Sequence, residues 1–301
     1  MNLFRRKPDA KSLEPVAREY YRQLLEDGVV HIAGGVPADV VAGTLSDVKE
    51  CLRRNAAIFG RHIDADGHYP RIINLHALHR PLLRLFANSP TALAVQDAFF
   101  GDRSCIYTSL YYERGSAQPI HRDTPYFSTR PEYRYLGVWV ALEDADESNG
   151  CLQVVRKGHL IPEFDRPAIA LEHHSSLAEV PGNSAVLWDA YQSRVMDACT
   201  ERGLVAEKIR VKAGDVIIWH PQLPHGGSAI GDISRTRHSF VMHVTPEGVP
   251  VYQQDVFFNP AKQVPDRAAW SYLKFEGRKY AKGKFVDIAG VERHPLEDFV
   301  Q

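Results

Sequence analysis

The triplet most able to do chemistry is His121-Arg122-Asp123. In extended chain, residues i and i+2 share a face, so this imidazole and carboxylate project together and can grip one cation through nitrogen and oxygen. About a hundred residues later, residues 213–228 read as a turn, a buried strand and a loop that holds His220 and His225. Arg237-His238-Ser239 then opens a further strand. A second imidazole beside the pair would leave adjacent positions open on a metal, an arrangement suited to non-haem Fe(II) that must bind both an oxidant and a cosubstrate. The planar guanidinium of Arg237 can take a carboxylate in two-pronged fashion and stays charged when buried. Ser239 shares its strand parity and can join that contact. At this level either His220 or His225 can serve as the distal ligand, and either Arg237 or Arg235 as the anchor.

Composition narrows the choice of ligand. Fourteen histidines stand against four cysteines, so a metal here is held by nitrogen and oxygen rather than by thiolate. Cys51, Cys105, Cys151 and Cys199 form no CxxC pair, which excludes a zinc ribbon and points to a reducing, cytoplasmic setting. With 36 Lys+Arg against 37 Asp+Glu, the chain lacks the basic excess of a nucleic-acid binder. A small-molecule substrate is the expectation, and the balanced charge does not say which. The N-terminal Arg5-Arg6-Lys7 has no apolar run behind it, unlike a signal peptide, and no stretch approaches the ~18 consecutive apolar residues of a membrane span.

The elements that must position these residues fall into two textures. Leu13, Val16, Ala17, Tyr20 and Leu24 mark a helix capped by Ser12 and stopped by Gly28. Val29 to Ala33 is a short β-branched run. Val41, Leu45, Val48 and Leu52 mark a second helix from Pro37, and Pro81–Ala87 and Pro90–Phe99 two more. After Gly101 come short runs rich in aromatic and β-branched residues: Cys105–Glu113, Tyr135–Leu142, Cys151–Val155, Lys208–Val211, Val216–His220 and His238–Val244. Helices followed by many short strands suggest a β-sandwich or barrel wrapped by N-terminal helices. Pro162–Leu204 reads as an irregular insertion, with a lid as one use for it. No repeat or linker divides the chain, so a single domain is expected: a helical wrap over 1–100, a barrel core over 101–260 and an extension over 261–301.

Several ordered segments together resemble the phytanoyl-CoA dioxygenase family of Fe(II)/2-oxoglutarate-dependent oxygenases. They are His121-Arg122-Asp123 with Tyr126-Phe127 behind it, Trp139 in its strand, Ser148-Asn149-Gly150, Gly158-His159, Gly214-Asp215, Leu223-Pro224-His225-Gly226 and Arg237. The likeness spans roughly residues 15–245 and is densest over 105–245. It implies a mainly β fold with flanking helices, a double-stranded β-helix of the jelly-roll, cupin-like kind, with iron at its mouth. It implies His121, Asp123 and His225 as ligands, with His220 a packed residue beside Trp219. Arg237 would anchor the distal carboxylate of 2-oxoglutarate, with Ser239 beside it and Trp139 within reach. The cofactors would be Fe(II), 2-oxoglutarate and O2, and the expected reaction is hydroxylation of an unactivated C–H bond with release of succinate and CO2. Desaturation, epoxidation or ring closure could use the same residues, and a jelly-roll enzyme without 2-oxoglutarate is the rival class. Retention of Asp123 argues against a halogenase. The family often has Gln where this chain has Arg122, so that position departs from the pattern. His243 shares parity with Arg237 and is expected to be a hydrogen-bonded core residue.

Overall fold

The computed structural model of the chain describes residues 13–300, so the expected Ser12 cap lies outside the described residues. The first helix runs Pro15–Asp27 and buries Ala17 and Leu24. Gly28 ends it at φ 79°, its N–H donating to the Leu24 carbonyl. The second spans Ala38–Arg54 and buries Val41, Val48 and Leu52. Pro81–Ala87 is split between a 3-10 turn at Arg80–Leu83 and a helical turn at Arg84–Ala87, and Pro90–Phe100 closes the helical half.

Fifteen strands follow the chain among the described residues. The N-terminal half contributes β1 (Val29–Ile32) and β2 (Ile72–Ile73). The middle supplies β3 (Ser104–Tyr112), β4 (Ser128–Thr129), β5 (Leu136–Ala141), β6 (Leu152–Val154) and β7 (Glu207–Ile209). Next come β8 (Val216–Trp219), β9 (His225–Gly227), β10 (Ser239–Pro246) and β11 (Val251–Tyr252). The tail adds β12 (Tyr272–Phe275), β13 (Arg278–Ala281), β14 (Phe285–Ile288) and β15 (Glu292–Pro295). The large sheet has the order β1-β8-β5-β10-β3-β2-β14-β15, with β13 also against β3; β7-β6-β9 form a second, smaller sheet.

Alternation along the central strands shows why these sequences fold this way. Val138 and Val140, Val216 and Ile218, and Phe240, Met242 and Val244 all face one cluster, which the N-terminal helices cover. Their neighbours Trp139 and Ala141, Ile217 and Trp219, and Val241 face the opposite cluster, shared with Leu152, Val154 and Ile209 of the small sheet. Burial on both faces makes these strands read as continuous apolar runs rather than as alternating ones. Two sheets closing over a shared core, with helices outside, make the expected jelly roll.

Two expectations about organisation need correction. The segment expected to be irregular, 162–204, is largely helical, with helices at Arg166–Leu171 and Ala185–Glu201. In the longer one, Leu187, Tyr191, Val195 and Cys199 recur every fourth residue and are buried against Phe257 and Phe258. Its N-terminus is capped by Ser184, whose side chain accepts from the Leu187 N–H. Val186, Trp188, Met196 and Ala198 beside this stripe spread apolar residues over several faces, so no clean helical period stands out and the segment reads as loop. The barrel expected over 101–260 also draws strands from outside that range. β1 pairs with β8, β2 with β3, and β14 of the extension with β2.

Candidate active site

The small sheet brings the two histidines side by side. His121 and His225 exchange backbone hydrogen bonds, at 2.9 and 3.0 Å, so a short bridge adds residue 121 to the edge of β9. Their rings lie 4.8 Å apart. Each ring is oriented from behind by a main-chain oxygen: His121 Nδ1 donates to the Pro119 carbonyl at 2.7 Å, and His225 Nδ1 to that of Leu223 at 2.9 Å. A carbonyl can only accept, so the proton sits on Nδ1 and each neutral ring presents the lone pair of Nε2 to the interior.

Asp123 completes the set. Its Oδ1 lies 3.2 Å from His121 Nε2 and its Oδ2 3.4 Å from His225 Nε2. The three ligand atoms fall within 4.8 Å of one another. Lone pairs of two imidazoles and a carboxylate facing one another repel unless a proton or a cation lies between them. Burial pushes His121 down, but its hydrogen bond and charge attraction to Asp123 outweigh this and raise it. Burial likewise pushes the Asp123 carboxyl up, and attraction to His225 with hydrogen bonds from His121, His225 and His243 holds it well below the usual range. The donor set therefore fits a divalent cation with nitrogen and oxygen preference, as Fe(II) has.

The remaining expected residues separate cleanly. His220 is not part of the cluster; it packs against His159 and Phe99, and burial pushes it down to about 3, so it is a neutral core residue. Arg235 sits outside the cavity, paired with Asp146 at 3.0 Å. Arg237 is buried, with its guanidinium 5.6 Å from the Trp139 ring centroid and 5.7 Å from that of Tyr112. One of its terminal nitrogens donates to the Gly150 carbonyl at 2.8 Å, the other lies 3.5 Å from Ser239 Oγ, and Nε has no partner. Burial pushes this cation down to about 10. Trp139 and Ser239 thus flank Arg237, as expected. Arg122 points away from the cluster, donating to the carbonyls of Gly158 and Ile161, which accounts for its departure from the family's usual Gln.

Sequence reading missed part of the surroundings. His243 Nε2 lies 3.1 Å from Asp123 Oδ2 and its ring stacks on Phe127 at 3.9 Å, so the expected core histidine supports a carboxylate of the cluster. The Gln118 amide lies 3.2 Å from His121 Nε2. Trp188, on the unforeseen helix, packs 5.5 Å from the His121 ring. Trp219 packs 4.6 Å from the His225 ring. It fits only because Gly137 has no side chain: a Cβ there would lie 1.9 Å from the indole. All of these but Gln118 and Gly137 were visible as aromatic or histidine residues; Gln118 and Gly137 carried no signal of their own.

These groups line a cavity of about 640 Å³ that holds the cluster and Arg237 and reaches Arg71, Asp287 and Arg293. That volume exceeds what a five-carbon dicarboxylate needs and lies within the usual range for small-molecule sites. The family model of phytanoyl-CoA dioxygenase (PhyH) matches residues 24–236. The chain belongs to the phytanoyl-CoA dioxygenase family. Among curated relatives, the phytanoyl-CoA dioxygenase domain-containing protein 1 of Danio rerio is 26% identical over 196 residues, covering 63% of this chain and 62% of that protein. The match thus spans somewhat under two thirds of that relative's length. Among solved structures, the non-heme alpha ketoglutarate-dependent carbocyclase SnoK from nogalamycin biosynthesis aligns over 86% of this chain and 94% of its own, with TM-score 0.59 and 17% identity. The epimerase SnoN, in complex with Fe3+, alpha ketoglutarate and nogalamycin RO, aligns over 89% and 98%, with TM-score 0.59 and 18% identity. At such identities these two neighbours speak for the fold.

Proposed function

We propose that this member of the phytanoyl-CoA dioxygenase family is an Fe(II)/2-oxoglutarate-dependent oxygenase acting on a C–H bond of a small metabolite or natural-product intermediate. The observation that carries the reading is one cavity lined both by the convergent His121, Asp123 and His225 and by Arg237, a buried cation with no carboxylate partner among the described residues. His121, Asp123 and His225 would hold the metal. Arg237 and Ser239 would bind the far carboxylate of the cosubstrate, and Trp139 would pack beneath it. Bound iron with 2-oxoglutarate and O2 would supply oxidative decarboxylation to succinate and CO2, and with it the oxidant for the substrate.

The chain's own residues do the positioning. The Pro119 and Leu223 carbonyls fix the ring tautomers, and His243, bonded to Asp123 Oδ2, holds the carboxylate against the two histidines. The rings of Trp188, Trp219 and Phe127 exclude water around the cluster, which strengthens every charge interaction inside it. Hydroxylation is the default outcome, and the same residues serve desaturation, epoxidation or ring closure. Among the described residues no helix is long and apolar enough to cross a membrane. The four cysteines are buried and free, which supports a reducing compartment such as the cytoplasm. Anaerobic loading with iron and 2-oxoglutarate, followed by O2 and a substrate screen read as succinate, tests the reading. Succinate formation that survives Asp123→Ala or His225→Ala would overturn it.

A further inference from the structure

A second convergent set of ligand atoms lies outside the cavity, where the C-terminal hairpin meets the N-terminal wrap. Glu292 and His294 occupy alternate positions of β15, so both side chains project from one face. His62 comes from the 3-10 turn Gly60–His62, more than two hundred residues earlier in the chain. His62 Nε2 lies 2.8 Å from Glu292 Oε2, and His294 Nε2 lies 3.1 Å from Glu292 Oε1. Ligand atoms of all three fall within 4.8 Å of one another.

Proximity alone would describe two ordinary ion pairs. The hydrogen-bond pattern says otherwise. Both Nε2 atoms are buried, and neither makes a hydrogen bond despite the short separations. Two buried imidazole nitrogens without partners beside a carboxylate leave lone pairs available to a cation. The far nitrogen of His294, Nδ1, lies 3.6 Å from Asp298 Oδ2. A carboxylate behind the second ring nitrogen of a ligand histidine is the usual outer support of a protein zinc site.

We propose that His62, Glu292 and His294 bind a divalent transition cation, zinc by ligand type, with water as the fourth ligand and Asp298 supporting His294. A cation there would tie the β14–β15 hairpin, whose Asp287, Gly290 and Arg293 wall the active cavity, to the helical wrap at residue 62. The inference does not depend on the reading of the active site, since it concerns a separate ligand set.

The test is zinc stoichiometry of the full chain, stripped with chelator, reloaded with excess Zn2+, desalted and assayed by inductively coupled plasma mass spectrometry. Wild type is expected to retain two equivalents, His62→Gln/Glu292→Gln one, and Asp123→Ala/His225→Ala one. Zinc should also raise the melting temperature of Asp123→Ala/His225→Ala and lose that effect when His62→Gln/Glu292→Gln is added. His62 and Glu292 are partly exposed, so their double variant retains the fold and its count stands on its own. No zinc retained by Asp123→Ala/His225→Ala, or an undiminished count in His62→Gln/Glu292→Gln, overturns the proposal; a single wild-type equivalent that survives Asp123→Ala/His225→Ala and is lost in His62→Gln/Glu292→Gln supports it and counts against the active-site set alone.

Discussion

Replacing Arg237 with Met separates two effects that usually move together. Burial lowers this guanidinium from its usual 12.5 to about 10, and at about 1.4 kcal/mol per tenfold holding the charge costs about 3 kcal/mol. Its hydrogen bond to the Gly150 carbonyl returns about 1.5–3 kcal/mol, and the rings of Trp139 and Tyr112 add roughly 0.5–2 kcal/mol each. These contributions exceed the cost by at most about 4 kcal/mol, and burying a methionine side chain in the slot returns about 1.5–3 kcal/mol of that. Without ligand, Arg237→Met should therefore change stability by less than about 2 kcal/mol, because a methionine of similar length fills the slot and no carboxylate is left stranded.

With 2-oxoglutarate the balance tips. The unused Nε and the terminal nitrogens meet the incoming carboxylate in a buried, charge-assisted pair, and truncating one side of such a pair costs about 2–5 kcal/mol. Affinity should fall by roughly 10² to 10³. At a hundredfold excess over Kd, ligand stabilises wild type by about 2.7 kcal/mol, equivalent to about 4 °C for a chain of this length at roughly 2.1 cal/mol/K per residue. The assay is thermal unfolding under nitrogen with Fe(II) present, with and without 2-oxoglutarate, alongside calorimetric titration. Wild type should shift upward and Arg237→Met should not, while their unliganded melting points stay within about 3 °C. An Arg237→Met protein that binds 2-oxoglutarate within threefold of wild type would refute the anchor. A loss above about 4 kcal/mol in the unliganded state would instead show a structural cation.

Three further outcomes follow from the same structure. Gly137→Ala would drive a methyl group into the Trp219 indole, so it should cost about 1–3 kcal/mol by overpacking and weaken metal binding through the His225 ring, measured by urea unfolding and by cobalt titration. Leu187→Ala should cost about 2–5 kcal/mol in urea unfolding, because this fully buried leucine lies in a helix core; a change under about 0.5 kcal/mol would mean an exposed segment. Burial lowers His76 to about 4, so its folded-state value is depressed; the associated stability is present above about 6.5 and is lost as pH falls towards 4. Between pH 7 and pH 5 that loss is about 2 kcal/mol, and His76→Gln should show a correspondingly shallower decline.

What could be read from the sequence was whatever a short spacing encodes. His121 and Asp123 share a face because they are two apart in extended chain, and the strands of the large sheet announce themselves as apolar runs. The pairing with His225 is a contact across about a hundred residues, and only the resemblance singled it out from His220, which local spacing left equally available. The helix at Ala185–Glu201 was hidden because apolar residues such as Val186, Trp188 and Met196 lie off its buried face and blur the helical period. The tail was illegible for another reason. β14 pairs with β2, a two-residue strand, and neither carries enough apolar pattern to be found without the other.

Arg122 links the part that was legible to the part that was not. It stands between two proposed ligands, so alternation turns its side chain to the opposite face, where it is fully buried. There its backbone N–H donates to Gln192 Oε1 at 2.8 Å, and Gln192 Nε2 donates back to the Arg122 carbonyl at 2.9 Å. Its guanidinium bonds the Gly158 carbonyl at 2.8 Å and lies 3.4 Å from the Tyr191 hydroxyl. Gln192 and Tyr191 belong to the long helix of the insertion. Swinging that helix away as a lid would break this set and expose the cluster around Leu187, Tyr191 and Val195, at about 1.5–3 kcal/mol for each large apolar side chain. It would also pull on the segment that carries His121 and Asp123. The insertion is therefore better understood as a wall that fixes the ligand segment than as a gate, and Trp188 as part of that wall. Access to the cavity then falls to its other side, where Arg71, Asp287 and Arg293 line it. Arg293 is largely exposed there, tied to the rim by an ion pair with Asp287 and by its guanidinium 4.9 Å from the Phe285 ring centroid.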